Sequence, residues 1–311
     1  MNGLREHAEN YLVIRRALGY KLTGEGHLLA GFVAFAEDAS AALLTTDLAV
    51  AWTTRATSAS PAYLARRMRV VRSFARYLHT LDPATEIPPS DLFPCRKHRP
   101  TPYLYSDAEV AVLMVAARQL DPPLRAATFE TLIGLLAATG LRVSEAMRLD
   151  RDDLDRVNAL LIVRESKYGK SREVLLHPST VKALTAYLQQ RDRLSSRHHR
   201  PSAPSLFVSM RGTRLSHETV QPTFRGLLRQ AGVKPASPSC RPRIHSFRHS
   251  FAVNTLVGWY RDGGDVAARL PLLSTYLGHV DPRATYWYLS AAPELLGLAA
   301  QRLESGSGVR R

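Results

Sequence analysis

Six of the 19 prolines fall within residues 83–102. Proline fixes φ and has no backbone N–H to donate, so such a run can be neither helix interior nor central strand. Arg96, Lys97, His98 and Arg99 stand among these prolines. The stretch reads as an extended basic linker between an N-terminal part, residues 1–82, and a larger part, residues 103–311. A chain of 311 residues suits about two domains. With 45% hydrophobic residues there is material for a core in each, and disorder is expected only at the ends.

The N-terminal part reads as helical throughout. Tyr11, Leu12, Arg15 and Leu18 recur at helical spacing, and Gly19 ends that run. A second helix carries Leu28, Leu29, Phe32 and Phe35, and a later one places Leu64, Met68, Val71, Phe74 and Leu78 on one face. Opposite that face stand Arg66, Arg69, Arg72 and Arg76. This basic stripe is either a surface for a phosphate backbone or a solvated face that keeps the helix soluble.

In the larger part, Ser106 and Glu109 have the form of a capping box ahead of an apolar helix. A second helix runs over about residues 124–138 and stops at Thr139-Gly140. Residues 159–164 and 172–176 read as strands, with a hairpin turn at 166–170, and a short strand at 206–209 is expected to join them. The rest is helical apart from basic loops at 191–200 and 234–243. There is no internal repeat. The fold class is mainly α with a small antiparallel β-sheet (α+β).

The net charge of +15 and pI near 10.2 call for a polyanionic partner. An anionic membrane surface is the rival to nucleic acid. Against it, no apolar run approaches the ~18 residues of a spanning helix, and no signal peptide opens the chain. Cys95 and Cys240 are far apart and lie in proline-rich, basic stretches. A disulfide framework or cysteine metal site is therefore not expected, and a reducing cytoplasm fits. Nucleic acid is the favoured partner.

Chemistry concentrates near the C-terminus. Ile244-His245-Ser246-Phe247-Arg248-His249 is followed by Leu277-Gly278-His279 and by Tyr288. Earlier, Thr139-Gly140-Leu141-Arg142 ends one helix and opens the next at Ser144-Glu145. Arginine suits a phosphate clamp because its planar fork meets the oxygens two at a time and stays charged. Both Arg142 and Arg248 fall at helix starts, where unpaired N–H groups favour anions. Asp281-Pro282 reads as the N-cap and first residue of the helix holding Tyr288. A phenol with a pKa near 10 is a weak nucleophile unless cations and a base stand close. Taken singly, each residue also has a plain structural role, as a surface arginine, a satisfied histidine or a packed tyrosine. Tyr286 and Tyr276 are rival nucleophiles, and Tyr286 and Tyr288 cannot both face one site from one helix.

The order of these residues resembles the tyrosine recombinases, the phage integrase family. An arginine follows Thr-Gly-Leu, and a lysine lies in a hairpin. His-x-x-Arg-His and Leu-Gly-His come next, with a tyrosine nine residues after the last histidine. The likeness spans essentially the whole chain. It implies a helical core-binding (SAM-like) DNA domain over 1–82 and a catalytic domain over 103–311 with a C-terminal helix. It also implies roles: Arg142 and Arg248 clamp the phosphate, His245 manages the nucleophile's proton, His279 is the second histidine, and Tyr288 is the nucleophile. The lysine maps to Lys167, flanked by Ser166 and Tyr168 where the family has glycines, which keeps Lys170 as a lesser candidate. Residues 258–269 look like an inserted turn and short helix, and no arm-type DNA-binding domain is expected ahead of the helical one.

The resemblance implies a site-specific recombinase working through a 3′-phosphotyrosine, with double-stranded DNA as partner and four protomers on two DNA sites. Neither ATP nor a metal is expected, since the sequence has no P-loop and no acidic cluster for magnesium. The run Thr285-Tyr286-Trp287-Tyr288-Leu289 and the following Ala-Pro-Glu-Leu-Leu look like recombinases of transposons and other mobile elements, which integrate, excise or transpose. Two alternatives stand beside this reading: a DNA-binding accessory or regulatory homologue that needs partner recombinases, and a type IB topoisomerase-like enzyme. The apolar helix at 293–304 is expected to dock either on a neighbouring protomer or on its own domain.

Overall fold

The computed structural model describes residues 3–95, 101–164, 171–196, 203–289 and 293–307. Its internal contacts divide the chain into two compact units, Met1–Arg99 and Pro100–Arg311.

Among its described residues the first unit has four helices: α1 (Leu4–Ala17), α2 (Thr23–Asp38), α3 (Thr46–Thr54) and α4 (Pro61–His79). Their starts are written locally. The Thr45 hydroxyl accepts from Leu48 N at 3.2 Å, and the Ser60 hydroxyl from Tyr63 N at 3.3 Å with Pro61 in the first turn. Gly19, at φ 86°, turns the chain out of α1. Met68, Val71, Phe74 and Leu78 of α4 are buried against Leu29, Phe32 and Val33 of α2 and Trp52 of α3. The Phe32 and Trp52 rings meet edge to face at 5.4 Å. Each such side chain taken out of water contributes roughly 1.5–3 kcal/mol.

The proline-rich stretch is not extended linker over its whole length. Residues 83–95 fold back onto the first unit. Glu86 N donates to Leu44 O at 3.0 Å, and its carboxylate accepts from Thr46 N at 2.7 Å. Arg72 donates to the carbonyls of Pro88 (2.7 Å) and Pro89 (2.5 Å). A proline still offers its carbonyl, and here arginine takes it. Residues 96–100 lie outside the described residues.

The second unit opens with α5 (Asp107–Arg118), whose N-terminus carries the expected Ser106/Glu109 capping box, and α6 (Pro123–Thr139). The short α7 (Val143–Arg148) follows. Next come β1 (Leu154–Asp155), β2 (Leu160–Val163) and β3 (Arg172–Leu175), paired antiparallel in that order. Leu161 stands opposite Val174, and these two with Val163 face the core. Five helices plus a C-terminal one complete the unit: α8 (Pro178–Ser196), α9 (His217–Gln230), α10 (Ser246–Arg261), α11 (Val266–Leu277), α12 (Arg283–Leu289) and α13 (Pro293–Ser307).

Three sequence expectations are corrected here. Residues 206–209 do not join the sheet. Among the described residues only isolated pairings occur there, Asp150 with Ser205 and Val208 with Arg214. Leu206, Phe207 and Val208 are instead fully buried core plugs, and apolar runs buried all round carry no periodicity to separate the two cases. The basic loop expected from residue 191 starts later. Arg191 lies within α8 at 2% exposure and donates to the carbonyls of Ala203 (2.6 Å), Leu206 (3.0 Å) and Ser205. Residues 258–269 are no inserted short helix either: α10 runs on to Arg261, a turn at 262–265 contains Gly263 at φ 72°, and α11 begins at Val266. Finally, α13 packs within its own chain, with Leu295 buried in the cluster formed by α10, α11 and Tyr288.

Candidate active site

Three breaks in the helices of the second unit bring distant residues together. Gly140 ends α6 in the left-handed conformation at φ 61°, so the chain doubles back and Arg142 becomes the residue capping α7. Gly278 ends α11 in the same way at φ 68°, and His279 follows. His245 stands at the N-cap of α10, one turn before Arg248.

Arg248 ties these breaks to one another. At 2% exposure it donates from Nη1 to Gly140 O (3.0 Å) and from Nη2 to Leu277 O (2.6 Å). Both acceptors are terminal carbonyls of helices, which carry partial negative charge. These take two of the five N–H donors of a guanidinium. Burial, then the neighbouring Arg142, pushes its pKa down to about 10, so it stays charged at neutral pH.

Arg142 donates from Nη2 to Gly278 O (3.2 Å) and from Nη1 to Glu145 Oε1 (2.6 Å). Its backbone N–H donates to Glu145 Oε2 (3.0 Å). Arg172, at the start of β3, grips the same carboxylate through Nη2 (2.9 Å) and Nη1 (3.2 Å) and donates from Nε to Tyr276 O (2.8 Å). Burial alone would raise the Glu145 carboxyl. The hydrogen bond and charge of Arg172, followed by the N–H and guanidinium of Arg142, outweigh it and hold the group at about 2.

Both histidines of the pattern are held neutral. Lost hydration on its inner side, then Arg248 and Arg142, lowers the His245 pKa. For His279 the causes are burial, then Arg248, Arg142 and Arg172, and together they push it down to about 4. Its Nδ1 lies 2.6 Å from Thr285 Oγ1.

Tyr288, on α12, is 3% exposed. Its ring stacks on His279 at 6.1 Å and 21°, and is 5.7 Å from the ring of His249, which in turn lies 4.9 Å from that of His245. The rival tyrosines are elsewhere. Tyr286 is 54% exposed. Tyr276 stacks on Phe251 at 5.5 Å and donates to Leu175 O at 3.2 Å, and burial pushes its hydroxyl up to about 12.

Arg142, His245, Arg248, His279 and Tyr288 are thus brought together, through the Gly140, Leu277 and Gly278 carbonyls and the ring contacts of His249 and His279. Lys167 and Lys170 lie outside the described residues. The four arginines of α4 are not equivalent: Arg66 is paired with Glu25 at 2.9 Å, Arg72 with the two proline carbonyls, and Arg69 and Arg76 are exposed. Sequence reasoning read Glu145 only as part of a helix start, and missed Arg172, His249 and Thr285. The i,i+3 spacing from Arg142 was a usable signal for Glu145. Nothing in the sequence marks Arg172, whose partners are distant in the chain.

Residues 104–294 match the model of the phage integrase family. This chain belongs to that family. As a family member it is a tyrosine recombinase, an enzyme that cleaves and rejoins DNA. It is 43% identical to the integrase/recombinase y4rB of Sinorhizobium fredii (strain NBRC 101917 / NGR234), over 98% of both chains. It is 32% identical to the tyrosine recombinase XerD of Caulobacter vibrioides, over 78% of this chain and 75% of that one. In fold it is similar to the Tn1549 transposon integrase solved in complex with transposon right end DNA. That likeness has a TM-score of 0.65 at 15% identity and covers 96% of this chain and 98% of that one.

Proposed function

We propose that Tyr288 is the nucleophile of this recombinase and that Arg142, His245, Arg248 and His279 form the pocket in which it attacks. The observation that carries the assignment is the linkage through Arg248. Its guanidinium is bonded to carbonyls two residues before Arg142 and two before His279, and His279 stacks on Tyr288. Arg142 and Arg248 hold and neutralise the non-bridging oxygens of the scissile phosphate. His245, neutral at pH 7, takes the phenolic proton. The Tyr288 oxygen bonds to phosphorus as the P–O5′ bond breaks. This leaves a 3′-phosphotyrosine and a 5′ oxygen that gains a proton from Lys167. A 5′-hydroxyl from a partner strand then reverses the step.

The wider reading is site-specific recombination for a mobile element, in integration, excision or transposition. The integrase/recombinase relative matched over 98% of the chain and the Tyr-Trp-Tyr run of α12 support it. The substrate is double-stranded DNA held in part by exposed Arg69 and Arg76 of α4, with four protomers on two sites, alone or with other recombinases.

The test is a nicked suicide duplex carrying the element's own recombination site. Tyr288→Phe is expected to bind it without forming a covalent complex, while Tyr286→Phe and Tyr276→Phe still form one. Covalent capture by Tyr288→Phe would remove Tyr288 as nucleophile. Strand exchange between two sites, rather than relaxation of supercoils alone, separates a recombinase from a topoisomerase-like enzyme.

A further inference from the structure

Thr285 is completely buried, and its hydroxyl lies 2.6 Å from Nδ1 of His279. It sits three residues before Tyr288 on α12, so the two share a helical face. Other helical threonines of this unit, Thr128, Thr139, Thr223 and Thr255, donate their hydroxyl proton to the carbonyl four residues back. For Thr285 that carbonyl belongs to Asp281, which precedes the helix and accepts from Ala284 N at 3.0 Å. The Thr285 hydroxyl is instead directed at the imidazole.

A neutral imidazole has one donor nitrogen and one acceptor, and the bond made by one fixes the role of the other. If Nδ1 accepts from Thr285, Nε2 carries the proton and can donate to an anionic oxygen. The opposite form would turn a lone pair toward a phosphate. We infer that Thr285 is a positioning residue for DNA cleavage, holding His279 in the Nε2–H form so that this ring offers a donor to the phosphate between Arg142 and Arg248. The inference rests on the reading of the cleft given above. The same hydroxyl joins His279 to the helix carrying the nucleophile, so donor and nucleophile keep a fixed relation.

The test compares Thr285→Val, which keeps the shape and removes the hydroxyl, with Thr285→Ser, which keeps the hydroxyl. Single-turnover cleavage of a nicked duplex should fall about tenfold in the valine variant, on the scale of one lost hydrogen bond, with DNA affinity unchanged. The serine variant should stay within about twofold of wild type. In a His279→Ala background the valine substitution should have no further effect. The 15N shifts of His279 in selectively labelled protein should move toward the Nδ1–H form in Thr285→Val. Should the valine variant fail to fold, Thr285→Ala serves in the same comparisons. Wild-type cleavage by Thr285→Val while His279→Ala is slow, multiplying effects in the double variant, or an unchanged tautomer would each overturn the inference alone. Wild-type cleavage by His279→Ala would overturn the reading of the cleft, and the inference with it.

Discussion

At the scale of single residues, the arginine network is organised by a buried anion. Glu145 is 2% exposed and held between Arg172 and Arg142. Its carboxyl lies at about 2, below the ordinary 4.5, so on acidification the unfolded chain takes up the proton first. The stability it contributes is therefore complete above pH 4.5 and is lost as pH falls toward 2. Glu145→Gln should destabilise the protein at neutral pH by roughly 2–3 kcal/mol, because two half-buried guanidinium groups lose their buried counter-charge. It should also flatten the dependence of the denaturation midpoint on pH over that window. His279 has the same sign. With its folded value at about 4 and its ordinary value at 6.5, its contribution is present above 6.5 and lost as pH falls toward 4. Denaturant midpoints should rise across that interval, and less steeply in His279→Asn.

At the scale of elements, two left-handed glycines set the pocket's geometry. A Cβ at Gly140 would lie 2.6 Å from Phe251 Cδ1, and one at Gly278 would lie 2.7 Å from Arg172 Nη1. Both glycines also give their carbonyls to the arginine network, Gly140 to Arg248 and Gly278 to Arg142. Left-handed backbone costs a residue with a side chain roughly 1–2 kcal/mol even where there is room. Gly140→Ala must in addition displace an aromatic ring that is stacked on Tyr276. It should therefore lower the melting temperature, and so should Gly278→Ala, whose added methyl meets the Arg172 guanidinium that Glu145 and Tyr276 O hold in place. Both should slow cleavage more than they weaken DNA binding, as read by single-turnover rates beside binding isotherms.

At the scale of the whole molecule, the charge of +15 is the feature a DNA duplex meets first. Each phosphate contact releases counterions and adds about 0.9 to the slope of log affinity against log salt. The internal pairing of α4 separates arginines open to such contacts from those already engaged. Arg69→Ala with Arg76→Ala should reduce the slope by about 2. Arg66→Ala with Arg72→Ala should change the slope little and lower the stability of the first unit instead, since those side chains are tied to Glu25 and to the carbonyls of Pro88 and Pro89. Equal slopes from the two pairs would mean that the internal contacts give way to phosphate. No helix among the described residues is long and apolar enough to cross a membrane.

Local rules were legible wherever neighbours in the chain decide the outcome. The Ser106/Glu109 capping box and the stop at Gly140 depend on contacts within a few residues, and the buried face of α4 shows in the spacing of its apolar residues. The order of Arg142, His245, Arg248, His279 and Tyr288 was legible through its resemblance to the tyrosine recombinases, since each residue taken singly also has a plain structural role. Other features belong to long-range contacts. Leu206, Phe207 and Val208 could equally have been strand or core, and only burial in the finished fold, with Arg191 taking the Ser205 and Leu206 carbonyls, made them core. The first part of the proline stretch is held where Glu86 meets Leu44 and Thr46 and where Arg72 of α4 takes the carbonyls of Pro88 and Pro89. Arg172 and Glu145 are 27 residues apart, and Arg248 and Gly140 are 108. By itself the sequence determined that the chain is mainly helical, several helix ends and the inventory of reactive groups, since these follow from backbone propensity and local hydrogen bonding. Only the tertiary structure decided which guanidinium groups share a carboxylate and which tyrosine stacks on His279, because burial and charge act through space.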